Sequence, residues 1–167
     1  MKPIIELESP QDIDAIYQVN VTAFEGRNEE AELVDALRND GDILVSLVAW
    51  HEKTVVGHIA FSRVIVDTAE GLVGGVVLAP VGVLPAFQDK GIGKALIETG
   101  IELLGHELVL LVVGNPAYYK RFGFSVAAGE RYPNVYSGPY FMALVPGDPA
   151  QAPIGPVTFP QAFELVN

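Results

Sequence analysis

The sequence predicts an α+β fold: a mixed, mainly antiparallel sheet of about six or seven strands, flanked by about four helices. Three observations predict it. Apolar residues recur at helical spacing in residues 13–24 and 28–39, strand-like branched runs follow between residues 43 and 84, and a third helical pattern begins at residue 91. With 167 residues, half of them hydrophobic, the chain is the size of one domain with a substantial core.

The first elements are predicted from their start and stop signals. A short strand over residues 4–7 precedes Ser9, Pro10 and Asp12, which have the spacing of a capping box with proline at the first helical position. Gly26 ends this helix. A second helix from about residue 28 ends at the turn 39–41. The expected inward residues are Ile13, Ile16, Tyr17, Val21 and Phe24 in the first helix and Leu33, Val34 and Leu37 in the second.

The later elements are predicted from changes in the spacing of the apolar residues. The apolar run 108–113 is typical of a central strand that is covered on both faces. A turn-rich segment from residue 146 leads to an apolar tail that could dock on this chain or on a partner. The other predicted elements are strands at 43–50, 54–66, 72–84, 124–128 and 140–145 and helices at 91–104 and 116–121.

Composition and charge exclude several classes of protein. The chain has no cysteine, and its three histidines are scattered, so we expect no metal site. A net charge of -11 argues against nucleic acid or membrane partners and favours a cationic substrate such as an amine. No leader segment is visible, so a cytoplasmic protein is expected. A monomer and a homodimer both remain open.

A glycine-rich turn stands between a predicted strand and a predicted helix, from Gln88 to Gly93. Backbone N–H groups at the start of a helix form a site for phosphate, and glycine allows a large anion to approach closely. A P-loop is excluded because Gln88 stands at its first glycine position and Ala95 follows Lys94. A dinucleotide fingerprint is excluded because Leu96 stands at the position of its third glycine.

Two motifs together resemble the GNAT family of acetyl-CoA-dependent N-acetyltransferases. One is the Gln-x-x-Gly-x-Gly pattern of residues 88–93, and the other is the Tyr-x-x-x-Gly-Phe pattern of residues 119–124. The segments 116–124, 56–58 and 30–38 are similar to the YhbS-type branch. The resemblance covers about residues 3–145 and implies one acetyltransferase domain over 1–167, with a GNAT-type sheet and a C-terminal tail at 146–167.

The resemblance implies a co-substrate and the segments that hold it. Acetyl-CoA would give its acetyl group directly to a primary amine, with the pantetheine arm along the backbone of Val81, Gly82 and Val83. Asn115 and Phe122 are also implied as contacts. The pyrophosphate would lie on the turn and the helix start, formed by Gln88, Asp89, Lys90, Gly91, Ile92, Gly93 and Lys94.

The resemblance also implies a general acid, Tyr119, which would assist the departing thiolate of CoA and contact the cofactor. Tyr118 would line the substrate site. Glu25, Glu29 and His58 are candidates for the acceptor site, but neither the general base nor the acceptor is indicated. Two alternatives stay open: a scaffold that senses acyl-CoA without turnover, and an acyltransferase with another acyl donor or an oxygen nucleophile.

Overall fold

The computed structural model describes residues 2–167 and confirms the α+β class with a seven-stranded sheet. Three helices are long and two are single turns. In chain order the elements are β1 (Ile4–Leu7), α1 (Ile13–Ala23), α2 (Glu29–Asn39), β2 (Ile43–His51), β3 (Thr54–Thr68), β4 (Gly71–Val83), α3 (Ile92–Leu103), β5 (Leu110–Val113), α4 (Pro116–Tyr119), α5 (Val126–Gly129), β6 (Phe141–Leu144) and β7 (Val157–Thr158).

The strands follow chain order across the sheet, β1-β2-β3-β4-β5-β6, and β7 pairs with β3. The pairs β1–β2, β2–β3, β3–β7 and β5–β6 are antiparallel. Strands β4 and β5 are parallel, with Val76 beside Leu110 and Val77 beside Leu111. A parallel pair needs a crossover, and α3 lies between these two strands in the chain. The sheet is therefore mixed and mainly antiparallel, as predicted.

The chain forms two compact units. The first runs to Ser62 and includes Ala79–Leu103 and Pro160–Asn167; the second contains Arg63–Leu78 and Leu104–Phe159. Strands β3 and β4 each contribute residues to both units. Within residues 2–167, no helix is long and apolar enough to cross a membrane.

The first unit packs α1 and α2 around a buried aliphatic cluster. Leu33, Val34 and Leu37 of α2 are buried as predicted, and Val34 packs with residues of α1, β2 and β3. The C-terminal 3-10 turn Gln161–Val166 packs on α2 and buries Phe163, so the apolar tail docks on its own chain. Burial of these side chains is the main source of stability for this unit.

The second unit contains the strand pairs β4–β5 and β5–β6, and its buried residues include Phe124, Tyr132 and Phe141. At its edge, Arg63 Nη1 donates to Glu107 Oε1 at 2.7 Å and to the carbonyl of Gly75 at 3.0 Å. The bond from Arg63 holds the pKa of Glu107 below its ordinary value.

Two sequence predictions about elements are wrong. Residues 124–128 do not form a strand: Ser125 makes a single bridge to Ala143, and its side chain caps the short helix α5 by accepting from Ala128. Serine's capping preference therefore outweighs the apolar pattern there. The seventh strand is β7, in the tail. The inward face of α1 is also rotated: the buried residues are Ile16, Val19 and Asn20.

Candidate active site

The glycine-rich turn joins the end of β4 to α3, as predicted. Gln88, Asp89, Lys90 and Gly91 are exposed, and Asp89 and Gly91 have left-handed backbones with φ of 61° and 85°. A side chain built on Gly91 would meet no atom within 4 Å, so the space above this residue is open. The turn thus presents its backbone to solvent.

The start of α3 supplies free donors beside this open space. The first intrahelical bond runs from Ala95 N–H to the carbonyl of Gly91, at 3.0 Å. The N–H groups of Ile92, Gly93 and Lys94 therefore precede the hydrogen-bonded ladder and lie at the positive end of the helix dipole. Lys94 is exposed, as is Lys90, so two cations accompany these donors. This arrangement suits a phosphate group.

The end of β4 lies directly before the turn. Val81 and Val83 are half-buried and Gly82 is buried. The carbonyl of Val83 accepts from Gln88 Nε2 at 3.0 Å, which ties the turn back to the strand. A side chain on Gly82 would lie 3.1 Å from Ala23 Cβ, so glycine permits the close approach of α1 to β4.

A series of hydrogen-bonded polar groups, the polar chain, runs through the first unit and begins next to Gly82. Asn20 Nδ2 lies 3.1 Å from His58 Nδ1, and His58 Nε2 lies 2.9 Å from Ser46 Oγ. Ser46 donates in turn to Glu8 Oε1, and Arg38 binds both carboxylate oxygens of Glu8, at 2.8 and 3.0 Å. The chain runs from a partly exposed ion pair into the protein interior.

The charge states of the polar chain follow from burial and from ion pairing. Burial lowers the pKa of His58 to about 3, an effect that the nearby Glu8 carboxylate opposes only in part, so the ring is neutral at pH 7. Burial raises the pKa of Glu8, but the hydrogen bonds from Arg38 and Ser46 outweigh it and leave the pKa below its ordinary value. The bond to Glu8 raises the pKa of Arg38. Glu8 and Arg38 therefore stay ionised.

In the second unit, Tyr119 lies at the end of α4 and is almost fully buried. Its ring makes edge contacts with Tyr118 and Phe124, at centroid distances of 5.1 and 5.9 Å, and lies 6.2 Å from Phe122. Burial, followed by the neighbouring Tyr118, raises the pKa of Tyr119 to about 12. Tyr119 is therefore a neutral hydrogen-bond donor over the physiological range.

Asn115 has a structural partner in this unit. Its Oδ1 accepts from Ala117 N at 3.0 Å and so caps α4. Tyr118 is half-buried, and the guanidinium carbon of Arg121 lies 4.6 Å from its ring centroid. Any contact of Asn115 with a ligand would use the rest of its amide.

Of the four residues predicted for the substrate site, Glu25, Glu29 and His58 lie in the first unit, in different environments, and Tyr118 lies in the second. Glu25 and Glu29 are exposed around the end of α1 and the start of α2, and Glu25 has φ of 60°. His58 is fully buried, with both ring nitrogens in hydrogen bonds. Among the described residues, no group of three or more His, Cys, Asp or Glu could hold a metal ion.

Sequence reasoning did not find Asn20, Ser46 or the Glu8–Arg38 pair. A usable signal was present for two of them, since Asn20 and Ser46 are polar residues inside apolar runs, as is His58. Three such interruptions in elements that pack together are the sequence pattern of a buried polar network. The pairing of Glu8 with Arg38 joins residues thirty positions apart and depends on the fold.

Comparison with known proteins identifies the class. The sequence profile of the acetyltransferase (GNAT) domain matches residues 42–126, which span the strands β2 to β5, the glycine-rich turn and Tyr119. The chain belongs to the GNAT family and is an acyltransferase. The family expected from the two motifs is thereby confirmed.

Particular relatives include two proteins of Escherichia coli strain K12. The uncharacterized N-acetyltransferase YjhQ is 39% identical over 137 residues, which cover 77% of this chain and 73% of YjhQ. The uncharacterized N-acetyltransferase YhbS is 34% identical over 128 residues, 75% of each chain.

Two solved structures have the same fold. A GNAT family acetyltransferase from Brucella melitensis, in complex with acetyl-CoA, is 36% identical with a TM-score of 0.80, over 97% of this chain and 98% of that one. Escherichia coli YhbS, in complex with CoA, is 29% identical with a TM-score of 0.87, over 98% of this chain and 93% of that one.

Proposed function

We propose that this protein is an N-acetyltransferase that transfers the acetyl group of acetyl-CoA directly to a primary amine. The observation that carries the proposal is the exposed turn at residues 88–91, which opens α3 with free N–H donors and with empty space above Gly91. The acetyl-CoA and CoA complexes of the Brucella protein and of YhbS support this choice of co-substrate.

The residues of the first unit fit the two polar parts of such a ligand. The pyrophosphate is assigned to the N–H groups from Gln88 to Lys94, with Lys90 and Lys94 supplying positive charge in a chain of net charge -11. The pantetheine arm is assigned to the backbone of Val81, Gly82 and Val83. Its pairing with Val83 would compete with the hydrogen bond from Gln88.

Acetyl-CoA supplies a thioester, an acyl donor with a good leaving group. In the transfer, a bond forms between the amine nitrogen and the acetyl carbon, the carbon–sulfur bond breaks, and the amine loses a proton. The amine must be neutral to attack, so proton removal precedes or accompanies bond formation. The backbone of β4 is assigned the polarisation of the carbonyl oxygen.

Tyr119 is assigned to the departing sulfur, on the family resemblance. Since its pKa is about 12 and that of a thiol is about 8.5, full transfer of the phenolic proton to the sulfur is unfavourable. Tyr119 therefore acts by donating a hydrogen bond that stabilises the developing thiolate. The thiolate takes its proton from solvent after release.

Calorimetric titration with acetyl-CoA tests the co-substrate, with NAD as the comparison ligand. We expect saturable binding of acetyl-CoA and none of NAD. Gly91→Glu should abolish the binding, because it places a carboxylate where the pyrophosphate is assigned. The matched control is Gly41→Glu, which adds the same charge at another left-handed glycine, with φ of 75° and open space, and should bind normally. Equal affinity in the two variants would disprove the loop assignment.

Release of free thiol from acetyl-CoA tests the reaction itself, with methylamine, spermidine and L-lysine as probes. Amine-dependent release supports the proposed transfer. Saturable binding without release for any amine would favour a scaffold that senses acyl-CoA. Faster release with alcohols or with longer acyl-CoAs would instead favour a different acyltransferase.

A further inference from the structure

The polar chain behind Gly82 has a fixed direction. Asn20 Nδ2 donates both of its protons, one to the carbonyl of Ile16 at 3.0 Å and one to His58 Nδ1 at 3.1 Å. Rotating the amide by 180° would set its oxygen against the Ile16 carbonyl, which is also an acceptor. The orientation of the Asn20 amide is therefore determined by its partners.

The orientation of the Asn20 amide determines the direction of the other hydrogen bonds in the polar chain. Because Nδ1 of His58 accepts from Asn20, the ring proton is on Nε2 and is donated to Ser46 Oγ. Ser46 then donates its hydroxyl proton to the Glu8 carboxylate, which Arg38 holds in place. The three bonds that link Asn20, His58, Ser46 and Glu8 thus run in one direction, toward the negative charge of Glu8, and one acceptor is left over at the opposite end.

That acceptor is Asn20 Oδ1, a buried oxygen with no hydrogen-bond partner in the described structure, in a side chain that is itself fully buried. It faces Gly82: a Cβ on Gly82 would lie 3.4 Å from this oxygen and 3.5 Å from the Phe24 ring. Ala23 and Phe24 beside it are only half-buried. The oxygen therefore lies next to two partly exposed residues and beside the segment of β4 assigned to the pantetheine arm.

We propose that Asn20 Oδ1 binds an N–H group of the acetyl acceptor, and that His58 is the positioning residue that keeps this oxygen aimed at Gly82. This inference rests on the proposed function, since it takes the acyl group to lie at the end of β4. A ligand at this position must be a hydrogen-bond donor, and the amine is the reactant that has to approach the acyl carbon.

The direction of the polar chain favours an amine that carries positive charge. Hydrogen bonds in series polarise one another, so donation from Asn20 Nδ2 increases the negative partial charge on Oδ1. The fixed negative charge of Glu8 stands at the far end of the same series. The oxygen is therefore a stronger acceptor for an N–H donor that carries positive charge, as a protonated amine does.

Kinetics of amine-dependent thiol release separate the binding residue from the positioning residue. With the fastest of the three amine probes, Asn20→Ala should raise KM for the amine about 10-fold and leave the Kd of acetyl-CoA within about 2-fold of wild type. His58→Gln should raise the same KM by a smaller factor. The matched control is Ser62→Ala, which removes another buried polar atom of the first unit that has no hydrogen-bond partner among the described residues, and it should change neither value.

A second measurement needs no variant and no turnover. In ¹⁵N-labelled protein, the side-chain amide signals of Asn20 should shift when methylamine or spermidine is added to the CoA complex, whereas those of Asn134, which bonds the Tyr132 carbonyl, should not. A full shift with CoA alone would mean that the cofactor supplies the donor, and no shift with CoA, methylamine, spermidine or L-lysine would mean that the oxygen binds none of them. Either result overturns the inference.

The failure of this inference is distinguishable from the failure of the proposed function. If wild-type protein transfers acetyl groups to an amine and Asn20→Ala has an unchanged KM, only the role of Asn20 is wrong. If wild-type protein binds no acetyl-CoA or releases no thiol with any of the amines, the proposed function fails and the inference fails with it.

Discussion

Gly114 and Tyr119 are packed so closely that a methyl group on Gly114 would overlap the tyrosine ring. A Cβ built at Gly114 would collide with Cε2 of Tyr119 and lie 3.0 Å from its Cδ2. Gly114 follows β5, and its N–H donates to the carbonyl of Tyr140 at 2.9 Å, so its backbone is tied to a neighbouring segment. The position of the ring is therefore set by the absence of a side chain five residues earlier.

Gly114→Ala should displace Tyr119 and lower kcat about 10-fold or more, with an overpacking cost of about 1–3 kcal/mol in the free energy of unfolding. Gly147→Ala is the matched control, because a Cβ there meets no atom within 4 Å. Thiol-release kinetics and urea unfolding measure the two effects. A Gly114→Ala enzyme with wild-type kcat would show that the ring position does not matter for transfer.

Removing the phenolic hydroxyl in Tyr119→Phe should lower kcat about 10- to 100-fold and change the Kd of acetyl-CoA by less than about 3-fold, since one charge-stabilising donor is lost. Tyr140→Phe, at an exposed tyrosine of the same unit, is the control. With a pKa of about 12, Tyr119 keeps its proton up to pH 10, so its ionisation should not reduce the rate there. A decline near pH 10 that is absent from Tyr119→Phe would contradict this.

Much of the fold could be predicted because its signals are local. The capping box at Ser9 is formed, with Ser9 N–H donating to Asp12 at 2.8 Å, and Gly26 ends its helical segment with φ of 83°. Strand β7 could not be predicted in the same way. It has only two residues, Val157 and Thr158, and its pairing with β3 depends on a reversal of the chain direction. The spacing of apolar residues does not indicate such a reversal.

The candidate site also has one part that could be predicted from the sequence and one part that could not. The turn at Gln88–Gly93 was predictable because its glycine spacing acts locally. The function of Asn20 was not, because it depends on bonds to His58, thirty-eight positions away, and on the close approach of Gly82. An apolar pattern indicates which face of a helix is buried, but it does not indicate which polar side chain can be satisfied there.

The charge of Asp89 should weaken binding of the anionic cofactor, because this carboxylate lies in the turn assigned to the pyrophosphate. Asp89→Asn removes the charge, and asparagine tolerates the left-handed backbone of φ 61°. We expect acetyl-CoA to bind about 2- to 5-fold more tightly at low salt, and the gain to shrink as salt screens the charge.

Glu52→Gln is the control for this change. Glu52 is exposed and left-handed, with φ of 56°, in the turn between β2 and β3, so its replacement alters the net charge equally. Its affinity for acetyl-CoA should equal that of wild type. A matching gain in both variants would attribute the effect to net charge, and weaker binding in Asp89→Asn would assign the carboxylate a direct role in holding the cofactor.

The buried histidine should make the stability of the first unit depend on pH. His58 stays neutral in the folded protein down to about pH 3, whereas in the unfolded chain it gains a second ring proton near pH 6.5. Below pH 6.5 the unfolded state therefore binds more protons, and the free energy of unfolding falls as the pH falls. For this one group, lowering the pH from 7.5 to 5 should cost about 2 kcal/mol.

Urea unfolding at pH 7.5 and pH 5 measures this loss, and comparison with His58→Gln removes the contribution of the carboxyl groups, which begin to titrate in the unfolded chain near pH 5. In His58→Gln the pH-dependent loss should shrink by about 2 kcal/mol, although the variant is less stable at pH 7.5 because the bonds to Asn20 and Ser46 are altered. His51→Gln, at the histidine that ends β2, should keep the full loss. An equal loss in wild type and His58→Gln would mean that His58 accepts its proton in the folded protein as readily as in the unfolded chain, and the interior of the first unit would then have to accommodate a charge beside Asn20.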